Sequence, residues 1–215
     1  LDNFYASSTF SEGNCKITTD SSAYAYNTGT VGLSAGLWYW EMKDVAAAGS
    51  GDEVTGIAAA PTTSTTDWVG KTSETFAYYG NTGQSYTNDV ASSYGDTWAD
   101  SDIIGVYLDL TANKLYFAKN GTVQNSGTGI SITAAASTAT GLYFPAASDY
   151  HSAGSGIYAF NFGGCSAFDV TSANQDANGY GNFEYSPSDG GSASFDGSAK
   201  DFLAICTKNL ATDGG

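Results

Sequence analysis

Residues 102–123 constrain this chain more than any other stretch. Ile103-Ile104-Gly105-Val106-Tyr107-Leu108-Asp109-Leu110 reads as a strand, Thr111-Ala112-Asn113 as a turn, and Lys114-Leu115-Tyr116-Phe117-Ala118-Lys119 as an antiparallel return. Asn120-Gly121 follows, the strongest short-range hairpin signal, since both central residues of a type I′ turn need positive φ. Two consecutive hairpins make a meander. A second informative run is Leu37-Trp38-Tyr39-Trp40-Glu41-Met42-Lys43. Strand geometry sends Trp38, Trp40 and Met42 to one face and Leu37, Tyr39 and Glu41 to the other. Both faces are largely apolar, so this is predicted to be an interior strand with a covered outer face. Glu41 on such a strand must be hydrogen-bonded or paired, because an unpaired buried carboxylate is costly.

Residues 54–58, 76–79, 142–145 and 157–162 add four more strands, and residues 15–19 and 23–26 are candidates near the start. Residues 80–83 read as a turn, and residues 134–140 hold at most one turn of helix. With 27 glycines, 15 tyrosines and 11 phenylalanines, the composition favours short strands joined by tight turns over helices. The expected class is all-β. At 215 residues the chain buries roughly 70–75% of its unfolded surface without staples. No linker splits residues 1–165. Beyond Gly163-Gly164 the chain turns polar and Gly/Ser-rich, so residues 166–215 read as an extended tail. Its few apolar points would pin it to the sandwich or to a neighbouring subunit.

Twenty-two acidic residues stand against seven basic ones, a formal charge of −15. Nucleic acid is held mainly by Lys and Arg, so a nucleic-acid partner is not expected, and an anionic membrane would repel the chain. The acidity serves solubility, or shapes a surface for cations or a basic partner. No apolar run approaches the roughly 18–20 residues of a membrane span, and no signal peptide is visible. A start at Leu1 rather than Met fits a removed leader or part of a longer product. Cys15, Cys165 and Cys206 are odd in number and lack a CxxC pair. That argues against a disulfide framework and a zinc site. They read as small buried hydrophobes, with one disulfide and one free thiol as the alternative.

Six pieces, in order, resemble a SPRY domain. They are Gly36-Leu37-Trp38-Tyr39-Trp40-Glu41 with Val54-Thr55-Gly56-Ile57; Tyr79-Gly80-Asn81-Thr82-Gly83-Gln84-Ser85-Tyr86; Tyr94-Gly95-Asp96-Thr97-Trp98; the strand from Asp102 to Asp109; the return from Leu115 to Gly121; and Leu142-Tyr143-Phe144-Pro145-Ala146 with Phe160-Asn161-Phe162-Gly163. The resemblance implies a two-sheet antiparallel β-sandwich of the concanavalin A-like jelly-roll type over residues 1–165. The ends carry a looser resemblance. Leu1-Asp2-Asn3-Phe4-Tyr5 with Ser11-Glu12-Gly13-Asn14 looks like the entry segment of SPRY-like proteins of tailed bacteriophages. Residues 201–210 look like the segment that ends many of them, with Ala211 where those have Pro. This implies a virion protein of a tail fibre, appendage or capsid decoration. Its partners would be other virion proteins or a host surface receptor, and it would work as a homo-oligomer or assembly component.

Nothing in the chain calls for catalysis. His151 is the sole histidine, in the polar loop Asp149-Tyr150-His151-Ser152, and a triad would have to pass through it. Glycoside hydrolysis needs two flanking carboxylates, and no strand alternates acids. Asp96, Asp100 and Asp102 could meet in a loop, but the Asp-x-Asp-x-Asp-Gly pattern of a calcium loop is absent. No catalytic residue, metal or cofactor is therefore expected. What remains is recognition by loops at the sandwich ends, which the resemblance also implies. Trp68, Tyr94, Trp98 and Tyr150 are the loop aromatics, joined by His151. Trp68 and Tyr150 are the expected exposed contacts. A lectin-like glycan-binding module is the alternative.

Overall fold

The computed structural model describes residues 8–19, 24–47, 51–60, 62, 64, 66–150, 155–188 and 195–213. Its elements are β1 (Thr9–Ser11), β2 (Lys16–Thr18), β3 (Asn27–Thr28), β4 (Leu37–Ala46), β5 (Glu53–Ala58), β6 (Thr75–Tyr79), β7 (Gln84–Thr87), β8 (Val90–Ser93), β9 (Ile103–Asp109), β10 (Lys114–Lys119), β11 (Thr122–Val123), β12 (Ile130–Ser131), β13 (Phe144–Asp149), β14 (Ile157–Asn161), β15 (Leu203–Ala204) and helix α1 (Thr207–Asp213). One sheet runs β1-β2-β14-β4-β9-β10-β11, with β12 beside β10 and β15 beside β4. The other runs β3-β13-β5-β6-β7-β8. All named pairings are antiparallel except β15 on β4. The protein is a two-sheet β-sandwich.

The meander forms as its residues demand. Asp109 pairs with Lys114 and Ile104 with Lys119. The Asp109 carboxylate accepts the Thr111 and Ala112 N–H groups at 2.9 and 2.7 Å and so shapes the intervening turn. Asn120 and Gly121, at φ 48° and 78°, make the second turn. Gly105 is needed for another reason: a Cβ there would sit 3.0 Å from the Tyr39 ring and hydroxyl.

β4 is central, with β14 and β9 on its two sides. Trp38, Trp40 and Met42 enter the inter-sheet core with Ile104, Val106, Leu108, Leu115 and Phe117, against Ile57, Phe76, Tyr78 and Ala147 of the second sheet. Each such side chain, fully removed from water, stabilises the fold by about 1.5–3 kcal/mol. The other face of β4 is covered, as its alternation requires. Tyr39, Tyr107 and Tyr116 lie beneath Phe183, Phe195, Phe202 and Ala204. Glu41, fully buried, accepts from Tyr39 Oη at 3.0 Å, Asn161 Nδ2 at 3.0 Å, Glu184 N at 3.1 Å and Tyr185 N at 2.7 Å. Burial still raises its pKa, although all four bonds work the other way.

Several expectations need correction. Residues 24–26 are not a strand: Ala25 takes φ 42°, outside the extended region, and pairing starts at Asn27. The strand expected at residues 142–145 begins at Phe144 and runs on to Asp149, while Tyr143 forms only a bridge to Leu33. The tail is not extended throughout, because Thr207–Asp213 is helical. Lys208, Leu210 and Ala211 are good helix formers in that turn. Its hub is Asp176, whose carboxylate accepts from Tyr180 N, Ala204 N and Asn209 Nδ2 at 2.8, 2.9 and 2.7 Å. The cysteines are not uniformly buried either: Cys15 is, but Cys165 is exposed and Cys206 half-buried.

Candidate recognition site

The five residues singled out by sequence part company. Tyr94 and Trp98 are 7% and 2% exposed and belong to the inter-sheet core, not to a loop surface. The reason is the path of residues 94–98. Gly95 N bonds Gly83 O at 2.8 Å, and Trp98 N bonds Gly80 O at 3.0 Å, so the segment folds back over the 80–83 turn. Tyr94 then packs on Tyr78 and Phe117, and its hydroxyl accepts Phe117 N at 3.0 Å. Trp68 is likewise not an exposed contact, being 3% exposed. Tyr150 is half-buried. His151 lies outside the described residues.

Trp68 and Tyr150 do come together, on the outer face of the six-stranded sheet. Their ring centroids are 4.6 Å apart, edge to face. Tyr86 stands 5.1 Å from Trp68 and 5.8 Å from Tyr150. Tyr79 is 4.9 Å from Tyr150 and 5.9 Å from Tyr86. Each such pair contributes about 0.5–1.5 kcal/mol beyond area burial. Trp68 and Tyr79 form a buried floor, over Val54, Ala58, Ala77 and Ala146, while Tyr24, Tyr86 and Tyr150 form a half-buried rim. Sequence reasoning missed Tyr24, Tyr79 and Tyr86. Period-2 alternation over Phe76-Ala77-Tyr78-Tyr79 held the signal for Tyr79, since it parts Ala77 and Tyr79 from the core residues Phe76 and Tyr78. Tyr86 follows from the register, opposite Ala77.

The backbone around the floor is tied down. Val69 N donates to Ser148 Oγ and Gly70 N to Thr75 Oγ1, both at 2.9 Å. Asn88 N and Asp89 N bond Thr72 O and Gly70 O at 3.0 Å, which docks the β7–β8 hairpin on this loop. Polar atoms border the rings. Tyr79 Oη donates to Asp52 Oδ1 at 2.6 Å, and Lys71 Nζ is 5.9 Å above the Tyr24 ring. Burial, then the bond to Asp52, raises the Tyr79 pKa; burial, then Tyr150 and Asp89, raises that of Tyr86. Both phenols are therefore neutral at physiological pH and able to donate hydrogen bonds. Among the described residues no three His, Cys, Asp or Glu side chains are grouped to hold a metal. The arrangement suits apolar contact, ring stacking and hydrogen bonding.

Directly across the backbone from this site lies a polar end of the inter-sheet layer. Glu53 and Asp149 pair between β5 and β13, next to Asp52 and Tyr150. Asp44, Glu53 and Asp149 are all fully buried. Tyr158 Oη donates to Asp149, whereas neither Asp44 oxygen has a hydrogen-bond partner among the described residues. Burial, reinforced by Glu53 and nearby aspartates, pushes Asp44 up to about 8. Burial, opposed by bonds from Thr19 and Tyr158, takes Asp149 to about 7.

A family model described as SPRY domain matches residues 37–164, more than half of the 215. The match opens with β4 and closes just beyond β14, so the tail lies outside it. No curated protein matches the sequence. The crystal structure of the SPRY domain of human HERC1 shares the fold, with a TM-score of 0.58 and 19% sequence identity. That alignment covers 75% of this chain and 94% of the other.

Proposed function

The chain belongs to the SPRY family, and from that premise we propose that it is a non-enzymatic binding module whose partner docks on the aromatic face of the six-stranded sheet. One observation carries the reading. Tyr24, Tyr86 and Tyr150 stand half-buried over a floor of Trp68 and Tyr79, whereas the aromatic face of the other sheet is roofed by the tail. Tyr and Trp combine large contact area with a polar atom and dominate binding hot spots. The partner is a protein, either another virion component or a receptor on the host surface. The likeness of residues 201–210 to the closing segment of tailed-phage proteins supports that setting. So does the −15 charge, which suits an exposed, soluble surface of an extracellular particle. Residues 1–165 and 166–215 act as one unit in this reading, the second shielding one face of the first.

Sedimentation of material purified from its source tests this. Mass in a particle, with an Y86A/Y150A variant left unattached, is the expected outcome. A free 22.1 kDa chain would sink the virion reading. A lectin-like glycan module is the second reading, favoured by one feature: accessible tyrosine rings beside the Asp52 carboxylate and Asn81 amide, a pattern suited to a sugar face and its hydroxyls. Glycan-array binding lost in Y150A would select it.

A further inference from the structure

Cys15 and Cys165 are 150 positions apart in sequence but lie along one edge of β14. The N–H and C=O of a strand residue point to the same side. Phe160 uses its N–H to bond Cys15 O at 2.7 Å, and its C=O to accept Ala167 N at 3.1 Å. Asn161 and Ser166 form an antiparallel bridge that turns the chain back at this point. The opposite wall is the turn Glu12-Gly13-Asn14, three consecutive residues with φ of 51°, 65° and 64°. Both sulfurs converge on it: Cys15 Sγ is 4.0 Å from Gly13 O, and Cys165 Sγ is 4.0 Å from Glu12 O. The acceptors are carbonyls of adjacent residues, and the Cys165 thiol is near enough to disfavour ionisation of Cys15. A cavity of about 150 Å³, lined by Cys15, Val31, Phe162 and Ile205 among others, adjoins the buried cysteine.

We propose that Cys15 and Cys165 form a reversible disulfide, a redox clasp between the segment entering the sandwich and the segment leaving it. The co-reactant is a low-molecular-weight disulfide. The exposed Cys165 thiolate attacks one sulfur of that disulfide, forming a mixed disulfide and releasing one thiolate. Cys15 then loses its proton to solvent base and attacks the Cys165 sulfur, expelling the second thiolate. Two protein thiols are oxidised and one small disulfide is reduced to two thiols. Burial, then the neighbouring Cys165, pushes the Cys15 thiol up to about 11 in the reduced chain; its burial persists in the mixed disulfide, so the second step quickens as pH rises. Cys206 takes no part.

The test is to equilibrate the full chain with oxidised glutathione, count thiols with a maleimide, and map the linked peptides. The expected result is a fall from three thiols to one, a Cys15–Cys165 peptide, and a thermal midpoint raised by several degrees. C165S changes an exposed side chain and leaves the core intact; it is expected to keep both remaining thiols and an unmoved midpoint. A linked peptide containing Cys206, a persistent glutathione adduct on Cys165, or three thiols remaining after equilibration would overturn the proposal.

Discussion

The two outer faces of the sandwich are built from the same material and end in different states. On the nine-stranded sheet, Tyr39, Tyr107 and Tyr116 are roofed by Phe183, Phe195 and Phe202, and every hydroxyl has a partner: Glu41, Ser186 O and Asp196. On the six-stranded sheet, the described side chains over Trp68 and Tyr79 are other tyrosines, and the outermost rings stay half in solvent. The roof is made of phenylalanine, which needs no polar partner; the rim is made of tyrosine, which can face water or a ligand. Aromatic content thus sets how much can be buried, and the available covering chain decides whether it is.

The largest expected effect lies on the roofed face. F202A removes a fully buried ring packed 5.1 Å from Tyr107 and 5.0 Å from Phe195. It should cost about 3–5 kcal/mol in urea unfolding, and an effect below about 1 kcal/mol would mean the roof is only loosely held. Next comes pH. Asp44 and Asp149, near 8 and 7 in the folded chain against an ordinary 3.8, bind protons that the unfolded chain has released. Stability should therefore be highest near pH 4 and fall as pH rises toward 8, by at most about 1.4 kcal/mol per unit for each group. D44N should flatten that fall. Hydrogen exchange should quicken first at the β5–β13 end, under the open face; quickening first at β15 would invert the comparison.

Y150A should be mild for folding, about 1–2 kcal/mol, but should weaken attachment to the partner roughly 30-fold. Equal damage to folding by Y150A and F202A would erase the distinction between rim and roof. The smallest effect belongs to Asp196, which accepts from Tyr116 at 2.8 Å and lies 3.9 Å from Lys114. Burial opposes its ionisation, but those partners, Gly129 N and Lys200 prevail and hold it below the ordinary value. Its contribution is present above about pH 4 and is lost as pH falls through its folded pKa. D196N should cost about 0.5 kcal/mol at pH 7 and nothing once the carboxyl is protonated, as thermal melts at the two pH values would show.

The local parts of this fold were legible. β9, β10 and the Asn120-Gly121 turn follow from neighbours in sequence, as does the two-faced character of β4. The β7–β8 hairpin escaped because Gln84–Thr87 and Val90–Ser93 show little apolar alternation and turn through Asn88-Asp89 without glycine. Non-local facts were harder. Trp98 is carried inward by a backbone bond to Gly80, and Trp68 is buried by rings from β7 and from the end of β13. A polar, glycine-rich tail carries no periodicity to say which sheet its phenylalanines reach. Of the site, sequence supplied Trp68 and Tyr150, while their companions needed strand register.

The roof also sets a schedule for synthesis. Tyr116 and the Asp196 that receives its hydroxyl are 80 residues apart, and β15 joins β4 only after Leu203 and Ala204 have emerged. At about 5–20 residues per second, an aromatic patch of Tyr39, Tyr107 and Tyr116 waits on the nascent chain for about 4–16 s before its cover exists. During that interval the half-made protein is sticky in a way the finished one is not, and productive expression depends on ribosome pace and on chaperones that shield one sheet.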